Sequence, residues 1–189
     1  MQRILSSDQA KMRKSSVFII SIIFLTGCTP PKERRMSIKE NRFFFCEQGS
    51  TIQEKMVQLI NHIRNSKRRC GKRPFSAART VKWNDNLTIA AQGHAKDMAW
   101  NDMLSHTGSD GSSVQARVER TGYRWRIVAE NIAAGRQQSE EVLFSWLESP
   151  GHCANLMNPA VTDIGAACFR NRESRYGTYW ALVMAAPGE

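Results

Sequence analysis

Apolar residues recur at helical spacing at Ile52, Met56, Leu59, Ile60 and Ile63. This predicts a helix over 52–65, opened by the capping-box pattern of Thr51 and Glu54 and ended by Cys70-Gly71. A second stripe, Leu87, Ala90, Ala91, His94, Ala95 and Met98, predicts a helix capped by Asn84 or Asp85, and its small residues allow close approach to another element. A short helix over 114–120 stops at Gly122, and Ser139 caps another through Val142, Leu143, Trp146 and Leu147. That pattern stops at Ser149-Pro150-Gly151, after which a turn presents His152 and Cys153 side by side. Strands are predicted over 126–133, 164–169 and 179–184, with the polar turn 170–177 joining the last two as a hairpin. Mixed helices and strands make the fold α+β, helices covering a small sheet.

The pattern before residue 43 is an address. Arg3, Lys11, Arg13 and Lys14 precede the apolar run 17–25, which is too short to span a bilayer and has the layout of a signal peptide. Met12 is an alternative start. The run ends in Leu25-Thr26-Gly27-Cys28, which resembles the lipobox of bacterial lipoproteins and implies lipidation of Cys28. By the same resemblance to known lipoproteins, Thr29 rather than Asp after the cysteine implies sorting to the outer membrane. The chain therefore divides into a signal peptide, 1–27, a lipidated tether, 28–42, kept solvated by its charges and stiffened by Pro30-Pro31, and a folded domain, 43–189. Phe43-Phe44-Phe45 reads as an apolar plug on that domain.

Composition changes the picture only in part. Hydrophobic residues at 41% and charged residues at 23% suit one globular domain. The formal charge is +10, and loss of residues 1–27 removes four basic residues and one acidic residue, leaving +7. Such a surface is attracted to anionic lipid heads or cell-wall polymers; the export signal argues against nucleic acid. With Cys28 assigned to lipid, Cys46, Cys70, Cys153 and Cys168 suggest two disulfides with three connectivities open. No two of them have the Cys-x-x-Cys spacing of a zinc site.

The loop 105–112 is dense in polar side chains, which suits a site carried on a rigid scaffold. His94, on an apolar stripe, reads as a hydrogen-bonded packing residue. Trp83-Asn84-x-x-Leu87, His94-Ala95-x-x-Met98, Ser105-His106-Thr107, Glu130-Asn131-Ile132-Ala133, Trp146-x-x-Ser149-Pro150-Gly151-His152 and Tyr179-Trp180 occur in the order seen in the CAP superfamily. This group holds the cysteine-rich secretory, antigen 5 and pathogenesis-related proteins, also called SCP-like. The resemblance covers roughly 52–184 and implies an α-β-α sandwich with a central antiparallel sheet. It implies a cleft built from His106, Glu130 and His152. The second glutamate of the family set falls at Ser149 here, and Glu148, one residue earlier, would point elsewhere on a helix. The resemblance also favours Cys70 with Cys153 and Cys46 with Cys168, against a rival pairing of Cys153 with Cys168.

His106 and His152 with a carboxylate could bind a divalent metal such as zinc and support hydrolysis, with Glu130 as ligand or base; without metal they form a hydrogen-bonded network. The sequence holds no Gly-x-Ser-x-Gly elbow, His-Glu-x-x-His helix or Walker loop. It therefore reads as a membrane-anchored extracytoplasmic module binding a lipid, a cell-wall fragment or a small hydrophobic ligand. The alternatives are a metal-dependent hydrolase using the same cleft and a structural or virulence-related surface protein acting through its basic face.

Overall fold

Two long strands with opposite inner faces organise the chain. In β6 (Asp163–Asn171) and β7 (Thr178–Pro187) nearly every residue is buried on both sides, because helices cover both faces of the sheet. The computed structural model describes residues 43–46 and 50–188. The signal segment, Cys28 and the tether lie outside the described residues.

Strand alternation divides the core into two clusters. Ile164, Ala166 and Cys168 of β6 and Trp180, Leu182 and Met184 of β7 face one side, where they meet α1 (Ser50–Arg64), α4 (Ser139–Glu148) and α5 (Pro150–Leu156). Ala167, Phe169, Tyr179, Ala181, Val183 and Ala185 face the other side and meet α2 (Asp85–Trp100) and α3 (Val114–Arg120). The result is the α-β-α layering expected of an α+β chain. Each fully buried aliphatic side chain in these clusters contributes about 1.5–3 kcal/mol.

The sheet runs β1 (Phe43–Phe45), β6, β7, β5 (Trp125–Ala134), all antiparallel. Its departure from a wholly antiparallel sheet is β4 (Lys82–Trp83), a two-residue strand parallel to the start of β6. Phe43–Phe45 adds a strand beside β6. Helix α2 lies so close to the sheet that a Cβ on Gly165 would stand 2.2 Å from the Thr88 nitrogen. The alanines of α2 and a glycine in β6 make that approach sterically feasible.

Local expectations fail in four places. The first helix fills its expected range, but it stops at Arg64 without running on to Cys70-Gly71. A hairpin of β2 (Arg68–Cys70) and β3 (Arg73–Phe75) occupies the segment read as loop, turned by Gly71 at φ +59°. Ser139 is the first residue of α4 rather than its cap; Gln138 holds the cap position and makes no side-chain capping bond. Pro150-Gly151 does not leave His152 and Cys153 on a turn: proline at the first helical position starts α5, and both residues lie on that helix. Asn84, by contrast, caps α2 as expected, its side chain accepting from the amides of Asn86 and Leu87.

Arg64, at the end of α1, is fully buried. Its guanidinium donates to the carbonyls of Arg79, Leu156, Asn158 and Val161, tying α1 to the chain after α5. Burial pulls its pKa below the ordinary value. Cys70–Cys153 and Cys46–Cys168 are the disulfides formed.

Candidate functional site

Strand β5 is an edge strand, and the site forms where helices and a loop close over that edge. Side chains alternate along it: Glu130 faces the α2–α3 side, and Asn131, wholly buried, faces α5. The outward carbonyls of the edge are capped by side chains rather than by another strand. Trp146 Nε1 donates to the Ile132 carbonyl at 3.0 Å, and Asn155 Nδ2 reaches the Glu130 carbonyl at 3.4 Å. Asn155 also donates to Asn131 Oδ1 at 2.9 Å, and Asn131 Nδ2 donates to the His152 carbonyl at 3.1 Å. The Cys70–Cys153 bond holds the same turn of α5 to the β2–β3 hairpin. His152 is therefore positioned through its backbone and its covalently tethered neighbour.

The Glu130 carboxylate is 2% exposed and has a partner on each oxygen. His106 Nδ1 lies 2.9 Å from Oε1, and Arg117 Nη2 donates to Oε2 at 2.8 Å. Removing either partner would leave a buried charge poorly compensated, so this is a mutually dependent set. Arg117 also donates to the Ser112 carbonyl and to the His106 carbonyl, at 2.8 and 3.1 Å. One buried guanidinium thus fixes both the carboxylate and the loop that carries the imidazole. The far end of that loop is held by Asp97 of α2, which accepts from the Ser109 amide at 2.8 Å.

His106 has a 58% exposed side chain and is the open member of the set. Its Nδ1 faces Glu130, leaving Nε2 as the ring nitrogen not engaged by the carboxylate. His152 is half-buried, and burial together with the neighbouring His106 pushes its pKa down. His94, fully buried, directs Nε2 to the Ser105 carbonyl at 2.8 Å and stands 3.8 Å from Glu130 Oε1. It is the packing histidine expected, but it also backs the site.

Glu148 stands apart. It is exposed at the end of α4, and among the described residues no hydrogen bond or ion pair joins it to His106, Glu130 or His152. Arg117 is the functional residue that the sequence concealed, since an arginine in a short helix looks like a solvated charge; its placement beside Val118 was the available sign. The donor set does not suit a structural or catalytic zinc site. Both Glu130 oxygens are engaged, one by a cation, and among the described residues no group of three or more His, Cys, Asp or Glu side chains is arranged to hold a metal. What the arrangement can do is present one imidazole, that of His106 rigidly oriented by Glu130, to a ligand, with His152 near it.

The chain resembles known proteins in sequence and in fold. The uncharacterized protein YkwD of Bacillus subtilis is 29% identical over 116 residues, covering 61% of this chain and 42% of YkwD. An extracellular SCP-domain protein from Bacillus anthracis superposes with a TM-score of 0.58 at 24% identity, over 72% of this chain and 40% of that one. An outer surface protein of Borrelia burgdorferi gives a TM-score of 0.62 at 17% identity, over 75% of this chain and 97% of its own. The chain thus spans less than half of the two Bacillus proteins. The model of the cysteine-rich secretory protein family matches residues 57–184, which include every strand and helix that builds the cleft, and the chain belongs to that family.

Proposed function

We propose that the chain is an extracytoplasmic binding module, anchored through lipid on Cys28 in the outer membrane, whose cleft receives the polar head of a lipid or cell-wall ligand. The observation that carries this reading is the commitment of Glu130. Held by Arg117 and His106, the carboxylate serves as a foundation rather than an open ligand or base, and His106 is left to face the solvent with the half-buried His152 near it. A carboxylate can only accept, so His106 Nδ1 carries the proton it shares with Glu130 and Nε2 is the acceptor of the neutral tautomer, which suits a hydroxyl of a glycerol head group or a cell-wall sugar. The metal-dependent hydrolase alternative needs a third protein ligand, which Glu130 supplies only by leaving a buried arginine. The extracellular and outer-surface nature of the Bacillus anthracis and Borrelia proteins supports the compartment. Among the described residues no helix is long and apolar enough to cross a membrane.

The test is binding of the purified full chain to phosphatidylglycerol vesicles, phosphatidylcholine vesicles and soluble peptidoglycan fragments. His106→Ala and His152→Ala should each weaken binding about tenfold, the loss of one hydrogen bond to the ligand, with the circular dichroism spectrum preserved. Binding that ignores both changes would remove the cleft from the function. Stoichiometric zinc lost in the double variant, with turnover that depends on His106, would restore the hydrolase reading instead.

A further inference from the structure

The end of the sheet at which β1 begins carries a surface that the cleft does not use. Phe43 pairs with Asn171, the last residue of β6, so the chain that precedes residue 43 joins the domain beside the β6–β7 turn. That turn is bonded to the C-terminal end of α2. Asn171 Nδ2 donates to the Ala99 carbonyl at 2.8 Å, and the Asp102 carboxylate accepts from the Arg175 amide at 2.8 Å and from the Tyr179 hydroxyl. Two segments distant in sequence thus form one corner of the domain.

This corner exposes aromatic and basic side chains together. Trp100 is 60% exposed, Leu104 45% and Tyr176 40%, three of the five large hydrophobic residues left exposed among the described residues. A single such residue needs no explanation, but several at one corner mark a surface that meets something apolar. The Arg175 guanidinium lies 5.9 Å from the centre of the Tyr176 ring, and the Arg136 carbonyl is held at the same end by the Thr178 and Trp180 side chains. Four arginines, Arg136, Arg170, Arg172 and Arg175, stand there against two carboxylates, Asp102 and Glu173, and Asp102 is already engaged. Tryptophan and tyrosine rings favour the boundary between water and hydrocarbon, and basic residues beside them favour anionic head groups. The β2–β3 hairpin is more densely charged, with Arg68, Arg69 and Arg73 in its strands and Lys67 and Lys72 beside them, but it exposes no large hydrophobic residue.

We infer that the corner formed by the β6–β7 turn and the end of α2 is the face that docks on an anionic bilayer, Trp100, Leu104 and Tyr176 entering the head-group boundary and the arginines meeting lipid phosphates. The inference rests on the reading of Cys28 as the lipid anchor. Fourteen residues, 29–42, separate that cysteine from Phe43. Such a length reaches about 20 Å as a coil and about 50 Å fully stretched, against about 40 Å across a domain of this size. The end of the domain that the chain enters therefore meets the bilayer with slack to spare, whereas the opposite end meets it only with the tether nearly taut.

The test places the whole purified chain on vesicles of phosphatidylglycerol mixed with chain-brominated phosphatidylcholine, in which bromine quenches a tryptophan that reaches the acyl boundary. Mass spectrometry of the N-terminal peptide reads the state of Cys28 in the same sample. The expected result is lipid on Cys28 and quenching that Trp100→Phe removes. Vesicles of brominated phosphatidylcholine alone, and the variant Arg172→Glu with Arg175→Glu, should each lower the quenching about threefold or more. Arg69→Glu with Arg73→Glu makes the same change of charge on the β2–β3 hairpin and should leave it intact. Lipid on Cys28 without quenching at Trp100 would overturn the docking face and keep the anchor. An equal loss in the two double variants would overturn it as well, since attraction would then follow net charge alone. Cys28 without lipid would overturn the anchor reading, and the docking face with it.

Discussion

The two sides of the sheet are held by different means. The side under α1, α4 and α5 packs large residues, Trp146, Trp180, Met56 and Met157, and gathers all four disulfide cysteines. The side under α2 and α3 packs alanines against Gly165 and Ala167, and carries the buried charges of Glu130 and Arg117. One side is rigid through volume and covalent bonds. The other is rigid through close approach and a polar network that fails if one member is lost. Because the cleft straddles the edge strand between them, His152 depends on the first side and His106 on the second.

The largest expected effect separates these supports. Cys70→Ser with Cys153→Ser opens a link between residues 83 apart, and the chain-entropy account puts its contribution at about 4–5 kcal/mol. Urea unfolding should show a loss of that order. Histidine ring spectra should show His152 displaced while the contact of His106 with Glu130 persists. Equal disturbance of both rings would mean that the two sides are not independently supported.

The same division explains what the sequence made legible. Helix α2 and the β6–β7 hairpin were readable because their packing is periodic, and His106, Glu130 and His152 stood out through the order of their motifs. The β2–β3 hairpin was not, since three-residue strands rich in arginine carry no alternation of hydrophobic and polar positions. Pro150 was ambiguous, because proline both ends one helix and starts the next. Arg64 and Arg117 were invisible as buried residues: their burial depends on carbonyls and a carboxylate supplied from distant parts of the chain. Long-range partners of a charge leave no local pattern.

Arg117→Met tests the polar side directly. It leaves Glu130 buried with His106 as its remaining partner and should cost about 3 kcal/mol or more. Adding Glu130→Gln removes the uncompensated charge and should recover part of the loss in the same urea experiment. If the double variant is as unstable as the sum of the singles, the pair is not coupled and the network account fails.

Acid is a gentler probe. His94 and His152 both have native pKa values pushed below the ordinary 6.5, chiefly by burial, with Arg117 also disfavouring the charged His94 ring while Glu130, Asp97 and the Ser105 carbonyl favour it. The unfolded chain therefore takes up their protons first. Their share of stability is full above about pH 6.5, falls as the pH drops below that value, and is wholly lost below the lowered native pKa. His94→Gln should flatten that slope when urea midpoints are compared between about pH 8 and about pH 5. A slope unchanged by the substitution would assign the acid sensitivity elsewhere.

The smallest effect bears on the cavity of about 560 Å³ that opens between α2 and α3 beside Gly93. Gly93 sits inside a sixteen-residue helix, where alanine is favoured by about 0.5–1 kcal/mol, and an added Cβ meets nothing. Gly93→Ala should therefore raise the melting temperature slightly, with no change in the His106 or His152 ring signals. A gain of that size means the wild-type chain keeps an opening that its own stability does not require. No gain, or a loss, would mean instead that the glycine accommodates a local backbone distortion, and the contrast between a filled side and an open one would rest on geometry that the helix itself imposes.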